Sequence, residues 1–169
     1  MAVVASAEAG LKAIEKGATI LQLRAPDLTA RELEREANAL VPQASVPVVV
    51  SSRCDVALAA GAAGVNLPER DVSVAEARTL MGQRLVGRSV HAIDAAVTAE
   101  REGVDYVIFG PVWPSPSHPD EKPQGIRSLA DVARAVNIPV LAIGGVTSER
   151  ADECAKAGAA GYAAITLFR

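Results

Sequence analysis

A pair of glycines follows a short apolar run and precedes a predicted helix, a pattern that can bind an anion. The run is Val140–Ile143, the pair is Gly144-Gly145, and Thr147 or Ser148 can cap the helix. Without Cβ atoms the backbone can approach a phosphate closely, and the first N–H groups of a helix have no partner inside it. The alternative is a tight turn that needs glycine only for its backbone dihedrals. This segment alone leaves both interpretations open.

Polar side chains follow most of the other predicted strands. In a barrel of parallel strands the carboxyl ends of the strands line the active face, so we expect these side chains to surround one ligand. Hydroxyls, amides, arginines and both histidines are present, whereas paired carboxylates and clustered metal ligands are few. The binding residues predicted in this way are Gln22, Arg24, Ser51, Asn66, Ser89, His91, Ser115, Ser117, Gly144, Gly145 and Thr166.

Four side chains at these strand ends suggest specific roles. The guanidinium of Arg24 suits a phosphate or carboxylate, and a surface ion pair with Asp27 is the alternative. His118 lies in a proline-rich loop and is the predicted catalytic residue, because imidazole accepts and donates protons near neutral pH; an exposed histidine without a role is the alternative. His91 follows its strand closely and is predicted to anchor a loop. Trp113 is expected either to stack on a flat ring or to cover the fold.

An alternation of helices and strands is predicted to position these residues. An alanine-rich helix, a glycine and an apolar strand recur in that order, and the glycine stands where a helix C-cap needs a left-handed residue. The pattern predicts a small (β/α)8 TIM barrel over residues 1–169, with a short first strand and a missing closing helix. An open doubly wound sheet is the alternative, but the sequence lacks its Gly-x-Gly-x-x-Gly motif.

The boundaries of the elements follow from apolar runs and capping residues. Thr29 with Glu32, and Ser73 with Glu76, have the spacing of capping boxes. The predicted strands cover residues 3–5, 19–23, 48–51, 64–67, 85–89, 106–109, 140–143 and 161–165. The predicted helices cover residues 7–16, 29–40, 55–60, 73–81, 93–102, 128–136 and 148–157.

Composition narrows the function classes. A net charge of −3 and a pI near 5.4 argue against nucleic acid as a partner. No apolar run approaches roughly 20 residues and the start lacks a signal-peptide pattern, so we expect no membrane span and a cytoplasmic protein. Cys54 and Cys154 are isolated and are expected to be reduced thiols. The sequence leaves a homo-oligomer open.

Several motifs together resemble the thiamine phosphate synthase superfamily, whose members are TIM barrels. The resemblance implies a small phosphorylated heterocycle, a thiazole phosphate, as the ligand. It also implies one of two reactions. A synthase joins a pyrimidine pyrophosphate to a thiazole phosphate with Mg²⁺, and a thiazole tautomerase aromatises a carboxythiazole phosphate without a metal. The motifs are Gln22-Leu-Arg24, Cys54-Asp-Val-Ala-Leu-Ala, Gly64-Val-Asn-Leu, Gly87-Arg-Ser-Val-His91, Gly110-Pro-Val-Trp-Pro-Ser-Pro-Ser117 and Ala142-Ile-Gly-Gly-Val146.

Departures from the synthase pattern lie where a pyrophosphate would bind. The superfamily's synthases have an Asn-Asp pair whose Asp holds Mg²⁺, and this chain has Ser51-Ser52 instead. A hydroxyl does not supply the anionic oxygen that a hard cation prefers, so Asp71 remains as a weak candidate ligand. Pro26 and His118 stand where the synthases have lysines. We therefore predict no metal and no cofactor, unless the protein is a synthase.

The resemblance is closer to the tautomerase branch on this reasoning. It predicts an isomerase that binds a thiazole phosphate through Gly144, Gly145 and Thr166. Pro111 stands where the tautomerase carries its catalytic histidine, so His118 would have to move the proton. A divergent synthase and a regulatory ligand-binding protein without catalysis are the alternatives.

Overall fold

Eight parallel strands pair in their order along the chain in the computed structural model, which describes residues 1–115 and 122–169. The strands are β1 Ala2–Val4, β2 Leu21–Leu23, β3 Val48–Ser51, β4 Gly64–Leu67, β5 Leu85–Val90, β6 Tyr106–Phe109, β7 Val140–Ile143 and β8 Gly161–Ala163. The helices between them are α1 Ala7–Glu15, α2 Ala30–Leu40, α3 Cys54–Ala59, α4 Val74–Met81, α5 Ile93–Glu102, α6 Gly125–Ala135 and α7 Ser148–Lys156.

Two backbone hydrogen bonds join the last strand to the first. The amide of Val3 donates to the carbonyl of Ala164 at 2.9 Å, and the amide of Ala164 donates to the carbonyl of Met1 at 3.1 Å. This bridge closes the sheet, so the described strands leave no open edge. The predicted (β/α)8 barrel is confirmed, including its short first strand.

Capping side chains fix where several helices begin. The side chains of Thr29 and Ser73 each accept a bond from the backbone N–H three residues on, and the carboxylates of Glu32 and Glu76 each accept one from the backbone N–H of the cap, as predicted. The predicted start of α6 at residue 128 is wrong, because the helix begins at Gly125. The hydroxyl of Ser128 donates to the carbonyl of Gln124 at 2.7 Å. Ser128 therefore lies within the first turn of α6 and is not its N-cap residue.

The barrel interior is built in layers of four side chains taken from alternate strands. The strand register places Gln22, Asn66, Ile108 and Ala163 in one layer. The next layer toward the carboxyl ends contains Val3, Ser51, Ser89 and Ile143. These two layers form the floor of the site described below.

The larger part of the core lies between the strands and the surrounding helices, where alanine, valine and leucine predominate. Cys54 and Cys154 are buried there as free thiols, and burial raises the pKa of each. Within residues 1–115 and 122–169, no helix has the length and apolar character that crossing a membrane requires. A cytoplasmic location stays a prediction.

Candidate functional site

A cavity of about 270 Å³ opens at the carboxyl ends of the strands. All predicted binding residues that the structure describes line it, namely Gln22, Arg24, Ser51, Asn66, Ser89, His91, Ser115, Gly144, Gly145 and Thr166. Ser117 and the predicted catalytic His118 lie within residues 116–121, outside the described part of the chain. The described residues at the strand ends therefore lie around one cavity, as expected for a barrel of parallel strands, although their roles stay predictions.

The floor of this cavity has a polar half contributed by β2–β5. The side-chain amide of Gln22 lies 3.5 Å from the hydroxyl of Ser51, and the amide nitrogen of Asn66 donates to the hydroxyl of Ser89 at 3.1 Å. The opposite half is apolar and comes from β1 and β6–β8, with Val3, Ile108, Ile143 and Ala163. A flat ring with one polar and one apolar edge would match this floor.

The glycine pair lies at the turn between β7 and α7, on the apolar side of the cavity. Gly144 and Gly145 have φ values of +91° and +65°, a region that favours glycine. A Cβ on Gly144 would lie 2.5 Å from Cβ of Pro111, and one on Gly145 would lie 2.6 Å from the carbonyl oxygen of Pro114. The turn therefore needs glycine for its dihedrals, as the alternative interpretation stated, and also for its packing.

An anion site at this turn remains compatible with that packing. Thr147 caps α7 by accepting from the amide of Arg150 at 3.4 Å, and Gly145 and Thr166 both line the cavity near the start of the helix. The N-terminus of a helix attracts negative charge. The glycine pair thus serves the fold, and a phosphate site beside it stays a prediction.

Arg150 is a residue of this region that sequence reasoning missed. Its Nη1 donates to the carbonyl of Gly145 at 2.7 Å, and its guanidinium lies 5.0 Å from the ring centroid of Trp113. The arginine therefore joins the β7–α7 turn to the loop after β6 through a cation–π contact. Trp113 thus packs on a cation of the protein, a contact that the sequence analysis did not predict. The feature of the sequence that could have identified Arg150 is an arginine in the first helical turn after a glycine pair.

A histidine and a glutamate meet at the rim of the cavity. Nδ1 of His91 lies 2.5 Å from Oε2 of Glu69, and both residues line the cavity. Arg88 holds the glutamate's loop by donating to the carbonyls of Glu69 at 2.6 Å and Val72 at 2.8 Å. The pair engages Nδ1 and leaves Nε2 of His91 free of this contact. The sequence placed both residues at strand ends but did not predict that they pair.

The surroundings of Asp71 test whether a Mg²⁺ ion fits. Ser52, a non-glycine residue with φ of +67°, donates from its hydroxyl to Oδ2 of Asp71 at 2.6 Å. The amide of Val72 donates to Oδ1 at 2.8 Å, so both carboxylate oxygens already accept hydrogen bonds. Among the described residues, no group of three or more His, Cys, Asp or Glu side chains could hold a metal ion. Mg²⁺ is commonly bound by one or two carboxylates together with substrate phosphates, so the expected absence of a metal stays a prediction.

Comparisons with known proteins agree on one family. A family model described as Thiamine monophosphate synthase matches residues 4–168. The thiamine-phosphate synthase of Chlorobium luteolum is 41% identical over 160 residues, which cover 92% of this chain and 76% of that protein. The thiamine-phosphate synthase of Chloroflexus aurantiacus is 39% identical over 158 residues, covering 91% and 73%. The solved thiamine phosphate pyrophosphorylase from Pyrococcus furiosus superposes with a TM-score of 0.88 at 31% identity, covering 98% of this chain and 83% of that one.

Proposed function

The chain belongs to the thiamine monophosphate synthase family, and from that premise we propose that it joins a phosphorylated thiazole to an activated pyrimidine. The relatives named above are synthases, which supports this reaction over the tautomerase predicted from sequence. The reaction forms one carbon–nitrogen bond between the rings and releases pyrophosphate. It is the reaction that the sequence left as the first alternative.

The observation that carries the proposal is the division of one cavity into two halves. Gly145 and Thr166 border the apolar half, where a phosphate at the start of α7 would leave the thiazole over aliphatic side chains. Gln22 and Asn66 border the polar half, where the pyrimidine would meet amide groups. The two rings would then lie side by side, held in orientation for bond formation.

The part of the site that would bind the leaving pyrophosphate differs most from the superfamily pattern. Arg24 lines the cavity and is exposed, so its guanidinium is available to pair with a phosphate group. Asp71 is the residue that would hold a Mg²⁺ ion, and we derive no step through a metal. We expect a slow enzyme, because fewer cations neutralise the developing charge.

The test is to incubate the purified protein with a thiazole phosphate and an aminopyrimidine pyrophosphate, with and without Mg²⁺. Formation of thiamine phosphate together with an equal amount of pyrophosphate supports the proposal. The Arg24→Gln variant should then lower the rate, because the charge that pairs with the pyrophosphate is gone. Tight binding of the thiazole phosphate with no product would contradict coupling and support the non-catalytic alternative.

A proton-transfer reaction of the tautomerase kind is the second candidate, and the pair formed by His91 and Glu69 is the observation that favours it. A histidine whose Nδ1 is held by a carboxylate can accept and donate a proton at Nε2. The base would remove a proton from the ring carbon beside the carboxylate-bearing centre and return one to the exocyclic carbon. Exchange of deuterium from solvent into a carboxythiazole phosphate, without pyrophosphate release, would support this reaction.

A further inference from the structure

Asn66 carries a buried hydrogen-bond acceptor without a partner. The side chain is 1% exposed, and its amide nitrogen donates to the hydroxyl of Ser89 at 3.1 Å. Its amide oxygen, Oδ1, has no hydrogen-bond partner in the described part of the chain. A buried carbonyl-type oxygen is almost always satisfied in folded proteins, because losing its water without replacement is costly. Something from outside the protein is therefore expected to reach it.

The position of Asn66 limits where that group comes from. The residue lies in the floor layer with Gln22, Ile108 and Ala163, and it lines the cavity. The bond to Ser89 occupies the amide nitrogen, so Oδ1 is the end of the amide without a partner. A molecule that enters from the open end of the barrel meets Asn66 at the bottom of the polar half.

Among the described residues, Tyr106 is the one buried side chain without a partner that could donate to Oδ1 of Asn66 in place of a ligand. Its hydroxyl is also buried without a partner, and a Cβ on Gly87 would lie 2.5 Å from it. The register places Asn66, Gly87 and Tyr106 side by side on β4, β5 and β6. Tyr106 does not line the cavity, and its hydroxyl makes no hydrogen bond to Asn66.

We propose that Oδ1 of Asn66 accepts a hydrogen bond from an amino group on the heterocycle that occupies the polar half of the cavity. This inference rests on the proposed function, which places the pyrimidine in that half. It makes Asn66 a specificity-determining residue that selects a ring with an exocyclic N–H donor. A ring of the same shape without the donor leaves Oδ1 unsatisfied and is rejected.

The experiment compares two small probes of nearly equal size. The first is 4-aminopyrimidine, and the second is 4-methylpyrimidine, which replaces the donor with a methyl group. Ligand-observed NMR titration is carried out in phosphate buffer, at a pH where both rings are neutral. We expect wild-type protein to bind the amino probe at least about tenfold more tightly, as expected for one buried hydrogen bond.

Three variants identify the acceptor. Asn66→Leu removes it at similar volume and should abolish the preference, while Asn66→Asp keeps an acceptor and should retain it. Asn38→Leu is the matched control, because Asn38 is exposed on α2. Tyr106→Phe should leave the preference unchanged; a gain in affinity for the amino probe would show that Tyr106 occupies Oδ1 and would overturn the proposal.

The outcomes separate this inference from the proposed reaction. Equal binding of the two probes to wild-type protein overturns the role of Asn66, even if Asn66→Leu does not fold. Coupling activity measured in parallel would then still support the proposed function. A clear preference for the amino probe without any coupling supports the role of Asn66 and contradicts the reaction.

Discussion

His91 and Glu69 meet at 2.5 Å between Nδ1 and Oε2 although they are 22 residues apart in sequence. Each stands just after a strand, β5 and β4 respectively, and neighbouring parallel strands bring these ends together. The contact ties two loops at the rim of the cavity. The sequence analysis predicted that His91 anchors a loop. The contact with Glu69 also gives it the geometry of an acid–base group.

The two histidines of the chain can be distinguished by matched variants. If the natural protein catalyses exchange of solvent deuterium into a carboxythiazole phosphate, we expect His91→Gln to lower the kcat of that exchange by roughly 10²–10⁴-fold. Glu69→Gln should have a smaller effect, because glutamine still accepts from Nδ1 but does not stabilise a charged ring. A loss confined to His118→Gln would instead support the sequence prediction for His118. A rise in KM alone would indicate a binding role.

Replacing Gly145 with alanine should destabilise the turn before α7. The positive φ and the close approach of Pro114 both oppose a Cβ, so we expect the free energy of unfolding to fall by roughly 1–3 kcal/mol. Gly61→Ala is the matched control, because its φ is +68° and nothing lies within 4 Å of an added Cβ. Urea denaturation of both variants separates dihedral strain from the clash. Equal losses would show that packing against the loop contributes nothing.

A substitution of Gly145 by aspartate would place a carboxylate where the phosphate is proposed to bind, but this packing confounds its interpretation. Loss of ligand affinity would follow from the clash as readily as from the added charge. Thr166→Val is cleaner, since Thr166 also lines the cavity but is exposed. We expect weaker binding of inorganic phosphate with little change in the melting temperature, measured by calorimetry.

Arg150→Lys should loosen the loop after β6 while keeping the charge. Lysine lacks the planar guanidinium that packs on Trp113 and donates to Gly145. Trp113 is the single tryptophan of the chain, so its fluorescence reports on this contact directly. We expect a red-shifted emission maximum and faster quenching by iodide. An unchanged spectrum would show that the stacking does not hold in solution.

Ser52→Asp should create a pair of carboxylates that holds Mg²⁺ more tightly than Asp71 alone. The new carboxylate would stand close to Asp71, which the Ser52 hydroxyl now contacts at 2.6 Å. We expect the variant to melt at a lower temperature without Mg²⁺, because two carboxylates repel, and to recover when Mg²⁺ is added. The natural protein should show no shift at the same concentrations. A Mg²⁺-dependent shift in the natural protein that Asp71→Asn removes would restore a metal-dependent synthase.

Glu32 links helix capping to acid stability. The hydroxyl and amide of Thr29 lower the pKa of Glu32 below its ordinary value of 4.5. Because the pKa of Glu32 is lower in the folded protein, its stabilisation is present above pH 4.5. The stabilisation is lost as the pH falls through the pKa of the folded state. We expect Glu32→Gln to be less stable than the natural protein at neutral pH and equally stable in strong acid. Urea unfolding followed by circular dichroism at several pH values measures this.

The sequence determined the architecture because its signals are local. Apolar runs, capping residues and helix-ending glycines predicted the bounds of β3, β4, β6, β7 and α5 without error, and those of α4 to within one residue. The order of strands along a barrel follows from their order in the chain, so the strand-end residues could be assigned to one face. The boundaries that failed, such as the start of α6, depend on the loop before the helix.

Only the tertiary structure decided which of the assembled residues contact one another. The pairings of His91 with Glu69, Arg150 with Trp113 and Ser52 with Asp71 join separate loops, and no spacing along the chain encodes them. Likewise, the unpartnered oxygen of Asn66 is visible only when all its neighbours are known. Hydrogen bonding and packing depend on distances of a few ångströms between side chains. A sequence pattern fixes which face a residue occupies, but the fold fixes those distances.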